Sequence, residues 1–310
     1  MILDIDPKVD YAFKKLIGRE ENEAILRFVL DAVLNPAPGH LTKSVHLLNP
    51  FNAKDTSEDK LSILDVKARD ESGWQFNVEM QMIGRATYEK RIVYYSSKFH
   101  QQQLHEGQDY LELRPTISIS FLDHMLFPDI ADYHLRFCLL EEKHHIPLTR
   151  DIEFHILELP KFTKTVEELE TDLDIWLYFL RHAEKMDIDN LPEVFRRSPM
   201  KRAVEELKSM TQNELERERY ESRRKAQLDY NTDIKAARIA GLMEGEAKGE
   251  AKGEAKGRVE GRVEGVKIGM IQTLERILNR PETPTEQLSS LSLEELTRMA
   301  DDLQRQVLTR

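Results

Sequence analysis

Cysteine is nearly absent from this 310-residue chain, with Cys138 standing alone. That excludes a disulfide scaffold and a cysteine-built zinc site, and it suits a reducing cytosol. The N-terminus, Met1-Ile2-Leu3-Asp4-Ile5-Asp6-Pro7, lacks a basic stretch and carries acids where a secretory signal places apolar residues. Long apolar runs are missing too. The longest surrounds Trp176-Leu177-Tyr178-Phe179-Leu180, far short of the ~20 residues a membrane span needs. The expectation is a soluble, cytoplasmic protein with no membrane partner. An excess of positive charge is also lacking, since net charge is −11. Residues 101–200 hold 10 Lys/Arg against 20 Asp/Glu, so nearly all of that imbalance sits in the middle third. Such a balance excludes a passive nucleic-acid coat, whose binding rests on neutralising phosphates. It leaves room for an enzyme that meets DNA through a local basic rim and a bound metal.

What is present suffices for a folded core: 40% of residues are hydrophobic and 33% charged. At about 150 residues per domain, the length suggests two domains. Asp6-Pro7 reads as an N-cap followed by proline at the first helical position. Val9, Ala12, Phe13, Leu16 and Ile17 then form an apolar stripe that Gly18 closes. A second helix carries Ile25, Phe28, Val29, Ala32 and Val33 and stops at Asn35-Pro36. Three strands follow, at 44–49, 61–69 and 74–82. The last is the clearest, with Trp74, Phe76, Val78, Met80 and Met82 on one face and Gln75, Asn77, Glu79 and Gln81 on the other. A helix over 85–106 carries Tyr88, Ile92, Tyr95 and Phe99, and the tyrosines Tyr94 and Tyr95 read as core. Ile117, Ile119 and Phe121 mark a fourth strand, with further strands at 133–140 and 152–159. Residues 166–226 read as mostly helical, around Leu173, Trp176, Leu177 and Leu180.

Glycine is concentrated in one place. Eight of the 13 glycines stand at 241, 245, 249, 253, 257, 261, 265 and 269, a period of four with Glu-Ala-Lys or Arg-Val-Glu between them. One reading is a partly disordered linker. The other is a helix with Gly, Glu, Ala/Val and Lys ridges that forms when chains pack together as a coiled coil, right-handed because the period exceeds 3.6. Beyond it, Ser292-x-x-Glu295 is a capping box before Leu296, Met299 and Leu303, which predicts a small helical C-terminal element.

The residues that could do chemistry lie on the second and third strands. Between them is Asp70-Glu71-Ser72-Gly73. If Glu71-Ser72-Gly73 is a three-residue loop with Gly73 in the left-handed region, Asp70 opposes Trp74 and Asp65 opposes Glu79. Two carboxylates with Cβ atoms about 5 Å apart repel, so one is protonated or a cation lies between them. Oxygen ligands at this spacing suit Mg²⁺ or Mn²⁺. A two-residue loop would shift the register and separate the pair, and two acids on a solvated sheet face are the plain alternative.

The order helix, three strands, helix, strand, with Asp65 in strand two and Glu79-Met80-Gln81 in strand three, resembles the PD-(D/E)xK nuclease superfamily. Asp10-x-x-Phe13-Lys14, Val78-Glu79-Met80-Gln81, Arg91-x-x-Tyr94-Tyr95 and the glycine-punctuated tail resemble its Rpn branch, recombination-promoting nucleases also classed as transposases. The resemblance covers nearly the whole chain. It implies an α/β nuclease core and metal-dependent hydrolysis of DNA, with Asp65 and Glu79 holding Mg²⁺ (or Mn²⁺) and Asp10 as a third acid. Where the superfamily usually has lysine, this chain has Gln81, as in the Rpn branch; glutamine can orient a water but supplies no positive charge. Lys67, two residues from Asp65 on the same face of the strand, is a candidate for that charge. Arg91, Tyr94 and Lys98 are candidates for phosphate contacts, and Arg217, Arg219, Arg223, Arg224 and Lys225 form a basic cluster of either solvated or DNA-facing character.

Adjacent His144-His145, and His100 with His105 five residues apart, have poor zinc spacing. The expected organisation is a nuclease-like domain at 1–160, an acidic helical extension at 161–230, the glycine repeat at 241–269 and a helical element at 270–310. The expected function is a Mg²⁺-dependent DNA endonuclease, with DNA as partner and a homo-oligomer through residues 241–310. The alternative is a catalytically weak or inactive nuclease-fold module that binds DNA or protein and oligomerises through its tail.

Overall fold

The computed structural model describes residues 1–37, 39–49, 65–84 and 87–308, with Asp65 represented by its backbone. The start of the second expected strand (61–64) and Arg85 of the following helix lie outside the described residues. The chain forms two compact units, 1–231 and 232–310.

The first unit opens with α1 (Asp10–Ile17) and α2 (Glu23–Leu34), each with an apolar stripe buried in the core. The start of α1 differs from expectation. Asp6 accepts the Lys8 N–H at 2.9 Å and closes a turn over Pro7 and Lys8, and the helix is entered three residues later with Val9 as N-cap. Asparagine tolerates the left-handed region, and α2 ends there, on Asn35 at φ 47°.

The sheet has six strands: β1 (Val45–Leu47), β2 (Asp65–Asp70), β3 (Gln75–Gln81), β4 (Thr116–Leu122), β5 (His134–Leu140) and β6 (Pro147–Glu158), in the order β1-β2-β3-β4-β6-β5. The helix α3 (Tyr88–Gln101) connects β3 to the parallel strand β4. Helices, three strands, helix and strand thus succeed one another as the sequence implies. On one face Phe76, Val78 and Met80 align with Ile117, Ile119 and Phe121. Phe13 of α1 and Trp176 of α4 (Asp172–His182) both pack edge-on against Phe121, at ring distances of 6.1 and 6.4 Å. Residues beyond 160 therefore share this core: Trp176, Phe179 and Leu180 of α4 and Ala203 and Leu207 of α5 (Met200–Gln212) are fully buried in it.

The opposite face is polar but not solvated. Gln75, Asn77 and Glu79 are 3%, 7% and 6% exposed, beside the buried Thr116, Ser118 and Ser120 of β4. Tyr88 of α3 belongs to a small cluster with Leu122 and Ile156, which puts α3 over this face. The buried side of α3 runs through Tyr88, Ser96 and Phe99. Tyr94 and Tyr95, expected in the core, are exposed instead. From Tyr88, the i, i+4, i+8, i+11 path reaches Ser96 rather than Tyr95, and a small side chain suits close approach to a sheet face of serines and short amides.

The β2–β3 loop is the three-residue form, with Gly73 at φ +85° and the Asp70 N–H bonded to the Trp74 carbonyl at 3.1 Å. An added Cβ at Gly73 would stand 3.1 Å from Cγ of Arg114, a flexible side chain that can yield, whereas the backbone conformation cannot. Gly73→Ala is therefore expected to destabilise the first unit by about 1–2 kcal/mol, the cost of a left-handed non-glycine residue. Urea midpoints check this, and a variant indistinguishable from wild type refutes it.

In the second unit, α6 (Glu214–Ile277), whose first turns belong to the first unit, is followed by α7 (Thr285–Leu288) and α8 (Leu293–Leu308). Ile271, Leu274, Leu288, Leu296, Ala300 and Leu303 form its core. The Ser292–Glu295 capping box is formed, with the Glu295 N–H bonded to Ser292 Oγ at 3.3 Å and the Ser292 N–H to the Glu295 carboxylate at 2.8 Å. The glycine repeat is helical throughout and exposed on every side as far as Val266, its glycines facing open space. Interior glycines cost a helix about 1 kcal/mol each relative to alanine, a cost that no burial within the described chain offsets along 241–266. No helix among the described residues is long and apolar enough to cross a membrane.

Candidate active site

The antiparallel register of β2 and β3 pairs Asp65 with Glu79 and Lys67 with Asn77. The loop fixes this: Gly73 in the left-handed region lets Asp70 face Trp74, and counting back along both strands brings the two acids opposite one another. Across the next ladder Glu79 pairs with Ser120 and Gln81 with Leu122.

Glu79 is held by two hydroxyls. Tyr88 of α3 and Ser120 of β4 both donate to its Oε1, the serine at 2.9 Å. Among the described residues its Oε2 accepts no hydrogen bond. Asn77 Oδ1 and Ser118 Oγ, buried on the same face, likewise have no partner. This donor set fits a hard divalent cation: carboxylate and neutral oxygens, with lone pairs left over and no sulfur or imidazole among them. The described side chains, which do not include that of Asp65, contain no group of three His, Cys, Asp or Glu placed to hold a metal.

Asp10 stands in the first turn of α1 and is buried. Burial raises its pKa above the ordinary carboxylate value, opposed by the positive charges of Arg223 and Lys14 and by the Tyr11 N–H at 2.6 Å. Two residues earlier, Lys8 bonds Asp123 at 2.9 Å, and the Asp123 N–H bonds the Gln81 carbonyl at 2.9 Å. These contacts fasten the approach to α1 to the end of β3 that carries Glu79 and Gln81. Lys67 is partly buried, with its ammonium over the Phe99 ring of α3, 4.9 Å from the ring centre. Along α3, Arg91, Tyr94 and Lys98 follow i, i+3, i+7 spacing, with Tyr94 and Lys98 exposed.

The basic cluster of α6 is largely occupied within the first unit. Arg217 bonds Asp4 at 2.9 Å, Arg224 bonds Glu184 at 3.0 Å and Arg219 lies 3.6 Å from Glu216. His144 and His145 are exposed in the turn between β5 and β6. Sequence reasoning missed Tyr88 and Ser120 as partners of Glu79. Only the alternation of Ser118 and Ser120 with Ile117, Ile119 and Phe121 signals that β4 turns hydroxyls to the face that bears Glu79.

No curated protein and no solved structure gives a match. Residues 7–237 match the family model described as the PD-(D/E)XK nuclease family transposase, and the chain belongs to that family.

Proposed function

We propose that this chain is a Mg²⁺- or Mn²⁺-dependent DNA endonuclease, hydrolysing phosphodiester bonds in recombination or transposon-related biology. One observation carries the reading: Asp65 is paired with Glu79 across a hairpin, and Glu79 is buried with one oxygen anchored by two hydroxyls. In this reading Asp65 and Glu79 hold the cation, and Asp10 is the third acid. When bound, the ion polarises the scissile phosphate and lowers the pKa of the attacking water.

The chain's own groups do the rest. Tyr88 and Ser120 fix Oε1 of Glu79 and so aim Oε2. The Gln81 amide orients a water through a hydrogen bond, without exchanging a proton with it. Lys67 contributes positive charge on the same face, standing in for the lysine the superfamily usually carries at the position of Gln81. Arg91, Tyr94 and Lys98 meet the DNA backbone. Self-association uses residues 241–310.

Gln81 also favours a second reading, a nuclease fold retained as a DNA- or protein-binding module. The test is relaxation of supercoiled plasmid by the purified chain with Mg²⁺ or Mn²⁺, beside Asp65→Ala. Nicking by wild type alone supports the enzyme. Equal behaviour of the two proteins overturns it and leaves the binding module.

A further inference from the structure

The ridges of α6 change sign partway along. Up to Gly257, Gly245, Gly249 and Gly253 are each followed by Glu, and Gly249, Gly253 and Gly257 are each preceded by Lys: Glu246, Glu250 and Glu254 on one flank of the glycine ridge, Lys248, Lys252 and Lys256 on the other. After Gly257 the flanks exchange, with Arg258 and Arg262 on the first and Glu260 and Glu264 on the second. Within one chain this pattern works against the helix. Residues four apart are neighbours, and along these ridges they carry like charge, as in Glu246–Glu250–Glu254 and Lys248–Lys252–Lys256. The ion pairs formed in this stretch, Lys248–Glu244 at 2.5 Å and Lys256–Glu260 at 3.6 Å, fall where a ridge changes sign. The helix is nonetheless continuous and, over 241–266, exposed on all sides and studded with glycines that face open space.

We propose that the partner covering this face is a second copy of the chain, running antiparallel, with Gly257 on the two-fold axis. The inference rests on the self-association proposed above and assigns its orientation and register. When two helices pack antiparallel along a common seam, each flanking ridge meets the same ridge of its partner; when they pack parallel, it meets the opposite one. With Gly257 at the centre, Glu254 meets Arg258 of the second copy and Glu250 meets Arg262. On the other flank Lys256 meets Glu260 and Lys252 meets Glu264. Each of these contacts occurs twice by symmetry and is attractive; beside the axis Arg258 and Lys256 each also meet their own copy, one like-charge contact per flank against four attractive ones.

Had Gly-Glu-Ala-Lys continued to the end, an antiparallel pair would set glutamate against glutamate and lysine against lysine, while a parallel pair would be as complementary as it is now. The exchange at Gly257 therefore matters to the antiparallel arrangement and is indifferent to the parallel one. The glycine seam lets the two backbones approach closely, and its period of four winds them right-handed.

The experiment is sedimentation equilibrium on the full-length chain, on R258E/R262E, on E250R/E254R and on an equimolar mixture of the two variants. Wild type is expected to dimerise. Each variant alone turns four attractive contacts into repulsive ones and is expected to weaken dimerisation by at least about thirtyfold. Mixing sets an all-glutamate ridge against an all-arginine ridge, and the heterodimer is expected to recover wild-type affinity. Monomeric wild type overturns the self-association and this inference together. Dimeric wild type with unaffected variants, or with variants that stay dissociated on mixing, overturns the antiparallel register and leaves the association itself standing.

Discussion

Glu79→Gln is expected to lower metal-dependent plasmid cleavage by about two to three orders of magnitude while the chain remains folded. The two expectations separate because the substitution is nearly isosteric. The carbonyl oxygen of the introduced amide can still accept from Tyr88 and Ser120, so the buried hydroxyls keep their acceptor and no cavity opens. What disappears is the negative charge and the free lone pairs of Oε2. For a hard cation held by carboxylates that removes several kcal/mol of interaction, and each 1.36 kcal/mol is tenfold in rate. Tyr88→Phe is the milder companion. It leaves the charge and removes one of the two donors that aim it, so Mg²⁺ or Mn²⁺ affinity is expected to fall about tenfold to a hundredfold, with cleavage restored at high metal concentration. Calorimetric metal titration and plasmid relaxation read both effects. Glu79→Gln at wild-type rate would remove the metal centre from the mechanism, and unchanged affinity in Tyr88→Phe would remove the hydroxyl from it.

The hairpin that pairs Asp65 with Glu79 is legible in the sequence because its determinants are local: a glycine where the backbone turns left-handed, and period-two alternation on either side of it. The entry to α1 departs from expectation for an equally local reason. Asp6 and Pro7 suit a helix start, but the same carboxylate serves a turn just as well, and here it caps the Lys8 N–H of a turn. The tyrosines of α3 show where local reading stops. An apolar stripe through Tyr95 and one through Ser96 differ by a single residue of phase, and what selects the serine is a sheet face that sequence alternation alone marks as solvent-facing. The burial of Glu79 is likewise non-local, since it needs α3 to cross back over β3 and bring Tyr88 onto the carboxylate. The Gly-x-x-x period announces an unusual segment but not its conformation, because glycine spacing speaks against an isolated helix and for a paired one at once.

Lys15→Met is expected to destabilise the first unit by about 3 kcal/mol at pH 7, the lower end of the range for breaking a buried ion pair. Lys15 is 4% exposed, and its ammonium lies 2.7 Å from Glu216 of α6 and 3.4 Å from Glu206 of α5. Methionine fills the same volume, so the loss is charge and hydrogen bonding rather than packing. Glu206 keeps Arg19 at 3.3 Å and Arg202 at 3.5 Å, whereas Glu216 is left with the Tyr11 hydroxyl at 2.8 Å and Arg219 at 3.6 Å. The pH dependence identifies the cause. Burial pushes the Glu216 carboxyl up, but Lys15 and Tyr11 outweigh it and hold the folded pKa below the ordinary glutamate value. A depressed carboxyl contributes stability that is present above its unfolded pKa, near 4.3, and is lost as pH falls through the folded value. Without Lys15 burial dominates, Glu216 takes up a proton at a higher pH, and protonation relieves the variant. The gap between wild type and Lys15→Met should therefore narrow as the pH falls toward 4, and Glu216→Gln added to Lys15→Met should recover part of the loss at pH 7. Urea unfolding across this range measures both. A gap below about 0.5 kcal/mol at pH 7, or one that does not change with acid, would mean that this pair does not hold α1, and with it Asp10, against α6.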